Sequence, residues 1–297
     1  MSGADFRCAD CPRRCGAWRT PEGGGGQCGM GSLPVLARAG LHRGEEPCIS
    51  GTNGSGTVFF SGCPLRCVFC QNREISLLRF GKTVPVSRLR EIFEELAAQG
   101  AHNINLVNPT HFTGAILEAL DDPLPVPVVY NTGGYDRVET LRRLEGKVQI
   151  YLPDMKYCLP GPAERYSGAR DYPEIAAAAI REMVRQTGPY RLDKDGMLTR
   201  GVLIRHLVLP GNLENSRRVI DWVANTFKKG EVLFSLMSQY TPCGDLSAFP
   251  EINRPLTPLE EKVIERYLFR SGMEDGYVQD REASGSAWIP AFDLSGI

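Results

Sequence analysis

The sequence predicts an α/β fold, a partial (β/α)6 barrel preceded by a small N-terminal Cys-rich metal module. Three observations predict it. From about residue 57 short apolar runs alternate with amphipathic stretches, the pattern of βαβ units feeding a parallel sheet with right-handed crossovers. About six such strands are visible, too few to close a standard eight-stranded barrel. Before residue 48 the chain is rich in Cys, Gly and Arg instead, and Cys8, Cys11, Cys15 and Cys28 lie there.

The elements follow in order. Residues 57–61 read as a short buried strand. Residues 86–99 read as a helix, with Leu89, Ile92, Phe93 and Leu96 at helical spacing and Gly100 as the stop. Strands are predicted over 103–108, 126–130, 148–152, 202–209 and 232–237. Helices are predicted over 113–120, 135–144, 171–186 and 214–227. A closing helix over 257–270 has Thr257 as its cap and Pro258 in its first turn. The run from Gly23 to Gly26 is excluded from the interior of any helix or strand and reads as a loop between ligands. The expected organisation is a Cys-rich metal-binding module over 1–47, the barrel over 48–250, and a C-terminal helix and extension over 251–297.

The chain has 297 residues, 42% hydrophobic and 23% charged, an ordinary globular composition long enough to bury a large core. Thirty-four Lys and Arg against thirty-five Asp and Glu leave a net charge of −1, which excludes a strongly basic nucleic-acid binder. No apolar run reaches the roughly 20 residues of a membrane helix, and the start lacks a signal-peptide pattern. A cytoplasmic location is expected. In a reducing compartment ten cysteines, seven of them in two clusters, point to metal ligation or catalysis rather than disulfides.

The central cluster is Cys63-x3-Cys67-x2-Cys70, directly after the first predicted strand. Three thiolates within eight residues reach one polynuclear cluster but fill only three sites of a [4Fe–4S] cubane, which normally takes four. The fourth iron is then open to another ligand, and an open site separates a reactive centre from a structural one. Zinc wants four protein ligands and fits three at this spacing poorly.

This loop resembles the signature of the radical S-adenosylmethionine (SAM) superfamily. Its wider wording, with Gly62 before the first cysteine, Phe69 before the last and Gln71-Asn72 after it, is similar to that of the activating enzymes of glycyl-radical enzymes. Within that group it resembles the pyruvate formate-lyase activating enzyme-like proteins that carry an extra N-terminal cysteine module, and the resemblance runs from Cys8 onward. It implies a barrel of the radical SAM type and a site-differentiated [4Fe–4S] cluster whose unique iron binds SAM. It implies reductive cleavage of SAM to a 5′-deoxyadenosyl radical that abstracts hydrogen from a substrate, a glycyl residue of a partner protein in the activase subclass. A one-electron reductant such as flavodoxin or ferredoxin is the implied partner, and Phe69 would lie against the adenine.

The strand ends supply the remaining cofactor-binding candidates, because ligands of such sheets bind at the carboxyl edge. The family's Gly-Gly-Glu stretch is absent from the second strand, where Asn108, Thr110 and His111 stand instead, with acceptors suited to an ammonium. Strand-end capping explains Asn108 and Thr110 as well. Asn131 and Thr132 end the third strand in a stretch similar to the family's Asp-Thr-Asn-Gly. Asp154 and Lys156 end the fourth on one face of the strand and resemble its Asp-x-Lys motif. Arg205 lies in the fifth, in a stretch resembling Arg-x-x-x-x-Pro-Gly. An Arg inside an apolar strand is expensive unless paired, so a partner is demanded. His206 points to the opposite face and reads as structural. Gln239 and Tyr240 end the last strand, with core packing as the alternative for Tyr240.

Cys8-x2-Cys11-x3-Cys15-x12-Cys28 offers a complete four-thiolate shell for zinc or a second iron–sulfur cluster. Its opening is less like a zinc ribbon, which leans the reading to iron–sulfur. Arg7, Arg13, Arg14 and Arg19 are near enough in sequence to offset its charge. Electron relay, partner docking and a folding staple remain open as its role. Cys48, Cys158 and Cys243 form no set and read as buried unpaired thiols. The contrasting function is a non-catalytic iron–sulfur or zinc protein for electron transfer or interaction. Asp154, Lys156 and Arg205 argue against it, because an electron carrier has no use for charges at strand ends.

Overall fold

The computed structural model describes residues 5–279 and 290–297. Its main sheet contains β1 (Val35–His42), β2 (Ser55–Phe60), β3 (Lys82–Thr83), β4 (Ile104–Val107), β5 (Val128–Thr132), β6 (Ile150–Pro153), β7 (Leu198–Leu207), β8 (Leu233–Met237) and β9 (Gly276–Gln279). Their spatial order is β9-β8-β7-β6-β5-β4-β2-β1-β3. From β2 through β9 the neighbours are parallel, while β1 pairs antiparallel with both β2 and β3. The six expected strands therefore gain a seventh parallel one, β9, and an antiparallel edge. β1 lies before residue 48 and β9 after residue 250, outside the expected barrel limits, whereas the short edge strand β3 lies within them.

Helices form where the sequence spacing is amphipathic. Val86–Ala98 buries Leu89, Ile92, Phe93 and Leu96, the expected stripe. Tyr172–Thr187, Leu213–Thr226 and Pro258–Arg270 follow the expected positions. Thr257 caps the last through a reciprocal capping box with Glu260. A further helix, Pro160–Ser167, starts on two prolines and was not predicted. Among the described residues no helix is long and apolar enough to cross a membrane.

Strand alternation sorts the sheet into two faces. Leu106, Val128, Tyr130, Tyr151, Ile204 and Phe234 belong to the large core beneath the helices. Val129, Ile150, Leu152, Leu203 and Leu233 point the other way and form a second apolar cluster inside the curved sheet. Cys48 and Ile49, from the short helix Pro47–Ser50, enter that second cluster and plug its base. Full burial of Ile49 alone contributes about 2 kcal/mol to holding the plug.

A seam of contacts links β9, at one end of the sheet, to the segment that follows β1. Gln279 on β9 donates to Glu46 Oε1 at 3.3 Å. The C-terminal segment 290–297 lies along β1, with Ala39 N–H donating to the Ser295 carbonyl and Leu294 N–H to that of Ala37. Phe292 packs edge-on against Phe59.

The N-terminal residues make a small antiparallel sheet of Phe6–Arg7, Trp18–Thr20 and Gly23–Gly24. This corrects the expectation that the glycine run contains no strand. Gly24 pairs with Arg19 so tightly against the Met30 carbonyl that a Cβ would stand 2.4 Å from that oxygen. The position therefore selects glycine despite its poor strand propensity.

Candidate active site

At the carboxyl edge of the sheet lies a cavity of about 480 Å³. Cys63, Cys67 and Cys70 open onto it from one side, with Phe69 between them. The loop that carries them needs two left-handed residues, Gly62 at φ 77° and Arg66 at φ 56°. Gly62 is obligatory for a second reason, since a Cβ there would meet Met30 and the Cys28 carbonyl. Burial pushes the Cys63 thiol up to about 12 and raises those of Cys67 and Cys70. Ser167 donates to Cys67 Sγ at 3.0 Å and Ser76 to Cys70 Sγ at 3.2 Å, bonds that favour the thiolate.

The spacing of these thiols tests what they would hold. Among the described residues no three His, Cys, Asp or Glu side chains stand close enough to share one metal ion. A tetrahedral zinc, with bonds of about 2.3 Å, draws its thiolates to within about 4 Å of one another. In a cubane each thiolate takes its own iron. Three thiols that open on one cavity without closing on a point fit the cubane.

The opposite wall is charged. Lys156 Nζ donates to Asp154 Oδ2 at 2.5 Å, which places both on one face as the alternation predicted. Arg205 donates from Nε to Asp154 Oδ1 at 3.1 Å, from Nη1 to Glu45 Oε2 at 3.0 Å and from Nη2 to Asn131 Oδ1 at 2.7 Å. Glu46 Oε2 stands 3.9 Å from Nη1. The demanded partner of this arginine is thus a set of four. Burial works against the Asp154 carboxylate, but Lys156 and Arg205 outweigh it and hold its carboxyl below the ordinary value. The same pairing holds Lys156 protonated against burial.

Thr110 and Thr132 line the cavity and donate their hydroxyls to Asp136, at 2.7 and 2.6 Å. Tyr130 gives Asp136 a third hydroxyl at 3.2 Å. Their protons are committed, and Thr132 Oγ1 also accepts from Gly134 N–H at 3.2 Å. Asn108, at φ 60°, lines the cavity and donates its carboxamide to the Gly62 carbonyl, pinning the cysteine loop to the end of β4. Gln239 reaches the cavity from β8, and Tyr240 packs edge-on against Phe69 with its hydroxyl on the Ile252 carbonyl.

His111 is placed elsewhere. Asn108 breaks the strand alternation and a 3-10 turn, Thr110–Phe112, follows. The ring is carried behind the cysteine loop, where Nε2 meets the Ser61 carbonyl at 2.7 Å and burial pulls the imidazole down to about 3. His111 therefore does not line the cavity. His206 is structural as expected, bridging Met155 O and Ser216 Oγ.

Four contributors escaped the sequence reading: Glu45, Glu46, Asp136 and Gln279. One signal pointed to the first two. An arginine in an apolar strand demanded acids, and Glu45-Glu46 precede the apolar plug. Burial pushes the Glu46 carboxyl up to about 7, opposed by Arg205 and reinforced by Glu45. Its ordinary value is 4.5, so between 4.5 and about 7 the folded chain holds more protons here than the unfolded chain. The contribution of Glu46 to stability is therefore complete below about pH 4.5 and lost as pH rises through about 7. Urea midpoints at about pH 5 and about pH 8 are expected to fall less in a Glu46→Gln variant than in the parent. Equal falls would remove Glu46 as the cause.

The N-terminal cysteines form a second group. Charges on Cys28, Cys8 and Cys15 all raise the Cys11 thiol, which burial pushes to about 12. Arg19, buried to 2% exposure, donates to Cys28 Sγ at 3.1 Å and to the His111 carbonyl. Among the described residues it has no carboxylate partner. Arg13 clamps the module to the central loop, donating to Pro64 O at 2.8 Å, Leu65 O at 3.2 Å and Ser167 O at 2.7 Å.

Comparison with known proteins adds three findings. Residues 49–118, which include the central cysteines, match the family described as a 4Fe-4S single cluster domain. An uncharacterized protein of Methanocaldococcus jannaschii is 34% identical over 236 residues, covering 76% of this chain. The chain spans 64% of that relative's length. The Streptococcus suis protein SuiB bound to precursor peptide SuiA superposes with a TM-score of 0.50 at 11% identity, over 74% of this chain and 47% of that one. SuiB bound to S-adenosylmethionine gives 0.47 at 13% identity, over 74% and 45%. The likeness to the peptide-bound SuiB is one of fold.

Proposed function

We propose that this chain is a radical SAM enzyme. One observation carries the reading: three cubane-spaced thiols and a wall of paired charges face each other across one cavity at the carboxyl edge of a parallel sheet. The match to a 4Fe-4S domain and the fold likeness to SuiB support it. A bound [4Fe–4S] cluster and SAM supply one-electron cleavage of a sulfonium and abstraction of a hydrogen atom.

The chain's own residues would do the rest. Cys63, Cys67 and Cys70 would hold three irons. Thr110 and Thr132, their protons given to Asp136, offer acceptors to the ammonium of SAM. Lys156 spends one donor on Asp154 and keeps others for a carboxylate. Arg205 is saturated by its partners and holds Asp154 and Asn131 in place. Phe69, braced by Tyr166 and Tyr240, gives the adenine a flat apolar surface. The plug at Cys48 and Ile49 keeps water out from below. The likeness of the loop to activating enzymes makes a glycyl Cα of a partner protein the candidate hydrogen donor, and a flavodoxin or ferredoxin the reductant.

The test is made without oxygen. Iron-loaded protein reduced with dithionite and given SAM is expected to form 5′-deoxyadenosine. None formed by protein with a fully loaded central site would overturn the reading in favour of a non-catalytic metal protein.

We further propose that Cys8, Cys11, Cys15 and Cys28 hold a second iron–sulfur cluster. Arg19 supports it: a buried cation aimed at four thiols without a carboxylate requires an anion there, and a thiolate-bound cluster is one. Metal analysis of a Cys8→Ser/Cys28→Ser double variant is expected to show about half the iron of the parent and no zinc in either. Equal iron, or stoichiometric zinc in the parent, would reject the assignment.

A further inference from the structure

Beneath the paired charges the cavity has a floor that the proposed chemistry leaves unexplained. It is built from the seam segment rather than from strand ends. Glu45 drops into the lumen from the loop after β1 and takes Asn105 Nδ2 at 3.3 Å and Asn131 Nδ2 at 3.2 Å on Oε1. Glu46 beside it is 1% exposed, yet it lines the cavity. Its Oε1 receives Gln279, while its Oε2 has no donor within hydrogen-bond distance among the described residues; Arg205 stands 3.9 Å away, and the unpartnered Ser235 hydroxyl is near enough to favour the carboxylate.

Two more acceptors around it lack donors. Asn105 Oδ1, on a fully buried side chain of β4, is unpartnered, and so is Gln239 Oε1. Buried acceptors are nearly always satisfied. Among the described residues two open acceptors, Glu46 Oε2 and Gln239 Oε1, line the cavity and suit donors that come from outside, while Asn105 is buried outside its lining.

Charge says which donors. Among the described residues Glu45, Glu46 and Asp154 face Arg205 and Lys156 in this part of the cavity, and burial, which favours the protonated form of Glu46, leaves its carboxylate in need of a cation. Arg43 and His42 also border the cavity, but Arg43 is exposed and donates to the Thr52 carbonyl, and burial together with Arg38 lowers the proton affinity of His42. A neutral hydroxyl would satisfy one acceptor and leave the excess negative charge. A cation with several N–H groups satisfies both.

We propose that this floor is a subsite for a cationic group of the substrate, an aliphatic ammonium or a guanidinium, with Glu46 as its anchor. The inference rests on the radical SAM reading for the word substrate, and on the floor itself for the charge. Gln239, which lines the same cavity, orients the group. Glu46 is a specificity residue here, not a catalytic one.

The experiment uses iron-loaded protein with SAM, without oxygen. Dissociation constants are measured by calorimetry for n-butylammonium, 1,4-diaminobutane and agmatine against the neutral isosteres 1-butanol and 1,4-butanediol. The affinity for SAM is measured separately in the parent. At least one cation is expected to bind the parent about 10-fold or more tighter than its neutral counterpart. Glu46→Gln should remove that preference and Glu46→Asp should restore part of it. The comparison of cation with isostere in the parent needs no variant, so a Glu46→Gln chain that fails to fold does not protect the idea. No preference in the parent, or a preference kept in Glu46→Gln, would each overturn it. Absence of SAM binding in the parent would instead strike the radical SAM reading.

Discussion

Alanine at Cys63, Cys67 or Cys70, taken one at a time, is expected to reduce 5′-deoxyadenosine formation to background. Three thiols are the full protein complement facing this cavity, so the loss of one leaves two, and a cubane cannot be held on one edge. The cost is not spread evenly over the fold. Ser167 and Ser76 lose a hydrogen-bond partner when Cys67 or Cys70 goes, whereas Cys63 has only backbone support. All three variants should therefore lose the central cluster's visible absorption, and Cys63→Ala should stay nearest to parental thermal stability when metal-free. A variant that keeps both its cluster and its turnover would remove that cysteine from the site.

Lys156→Ala and Arg205→Ala are expected to part company, because the two cations are paired differently. Lys156 has one carboxylate and spare donors. Its removal leaves Asp154 still bonded to Arg205, so folding should change little, while SAM affinity falls roughly 10- to 100-fold, the worth of one charged hydrogen bond. Arg205 has three carboxylates and Asn131. Its removal strands negative charge at side chains 15% exposed or less, a loss of about 3–5 kcal/mol. Thermal denaturation beside SAM titration separates the two. Equal stability losses would mean that Arg205 is not the hub described, and unchanged SAM affinity in both would remove the charged wall from the cofactor site.

What the sequence disclosed follows from the range of the interactions that decide each feature. Asp154 and Lys156 were legible because a two-residue period needs no tertiary information. The cysteine loop was legible because its spacing is local chemistry. Arg205 was half legible: its need for a partner could be read, but Glu45 and Glu46 come from about 160 residues upstream, brought in by a loop whose destination only the tertiary fold sets. His111 was misplaced because one left-handed residue, Asn108, ends the alternation three positions earlier. β1 was missed because Arg38, Ala39 and Gly40 interrupt its apolar run, and β9 because Gly276 opens it. At Gly276 a Cβ would stand 1.8 Å from the Phe234 carbonyl, so packing against β8 selects a residue that strand propensity disfavours.

The seam between β9 and the segment around Glu46 has a kinetic consequence. Its contacts join residues 233 positions apart at Gln279 and Glu46, and 257 apart at Ser295 and Arg38. Contacts of such span are made after the local βαβ units, because the chain between them must first be ordered. They also rest on few hydrogen bonds, so the seam is the low-free-energy opening mode of the sheet. The wall that carries the cysteines is braced from within by Arg13 and Asn108 and stays shut during that opening.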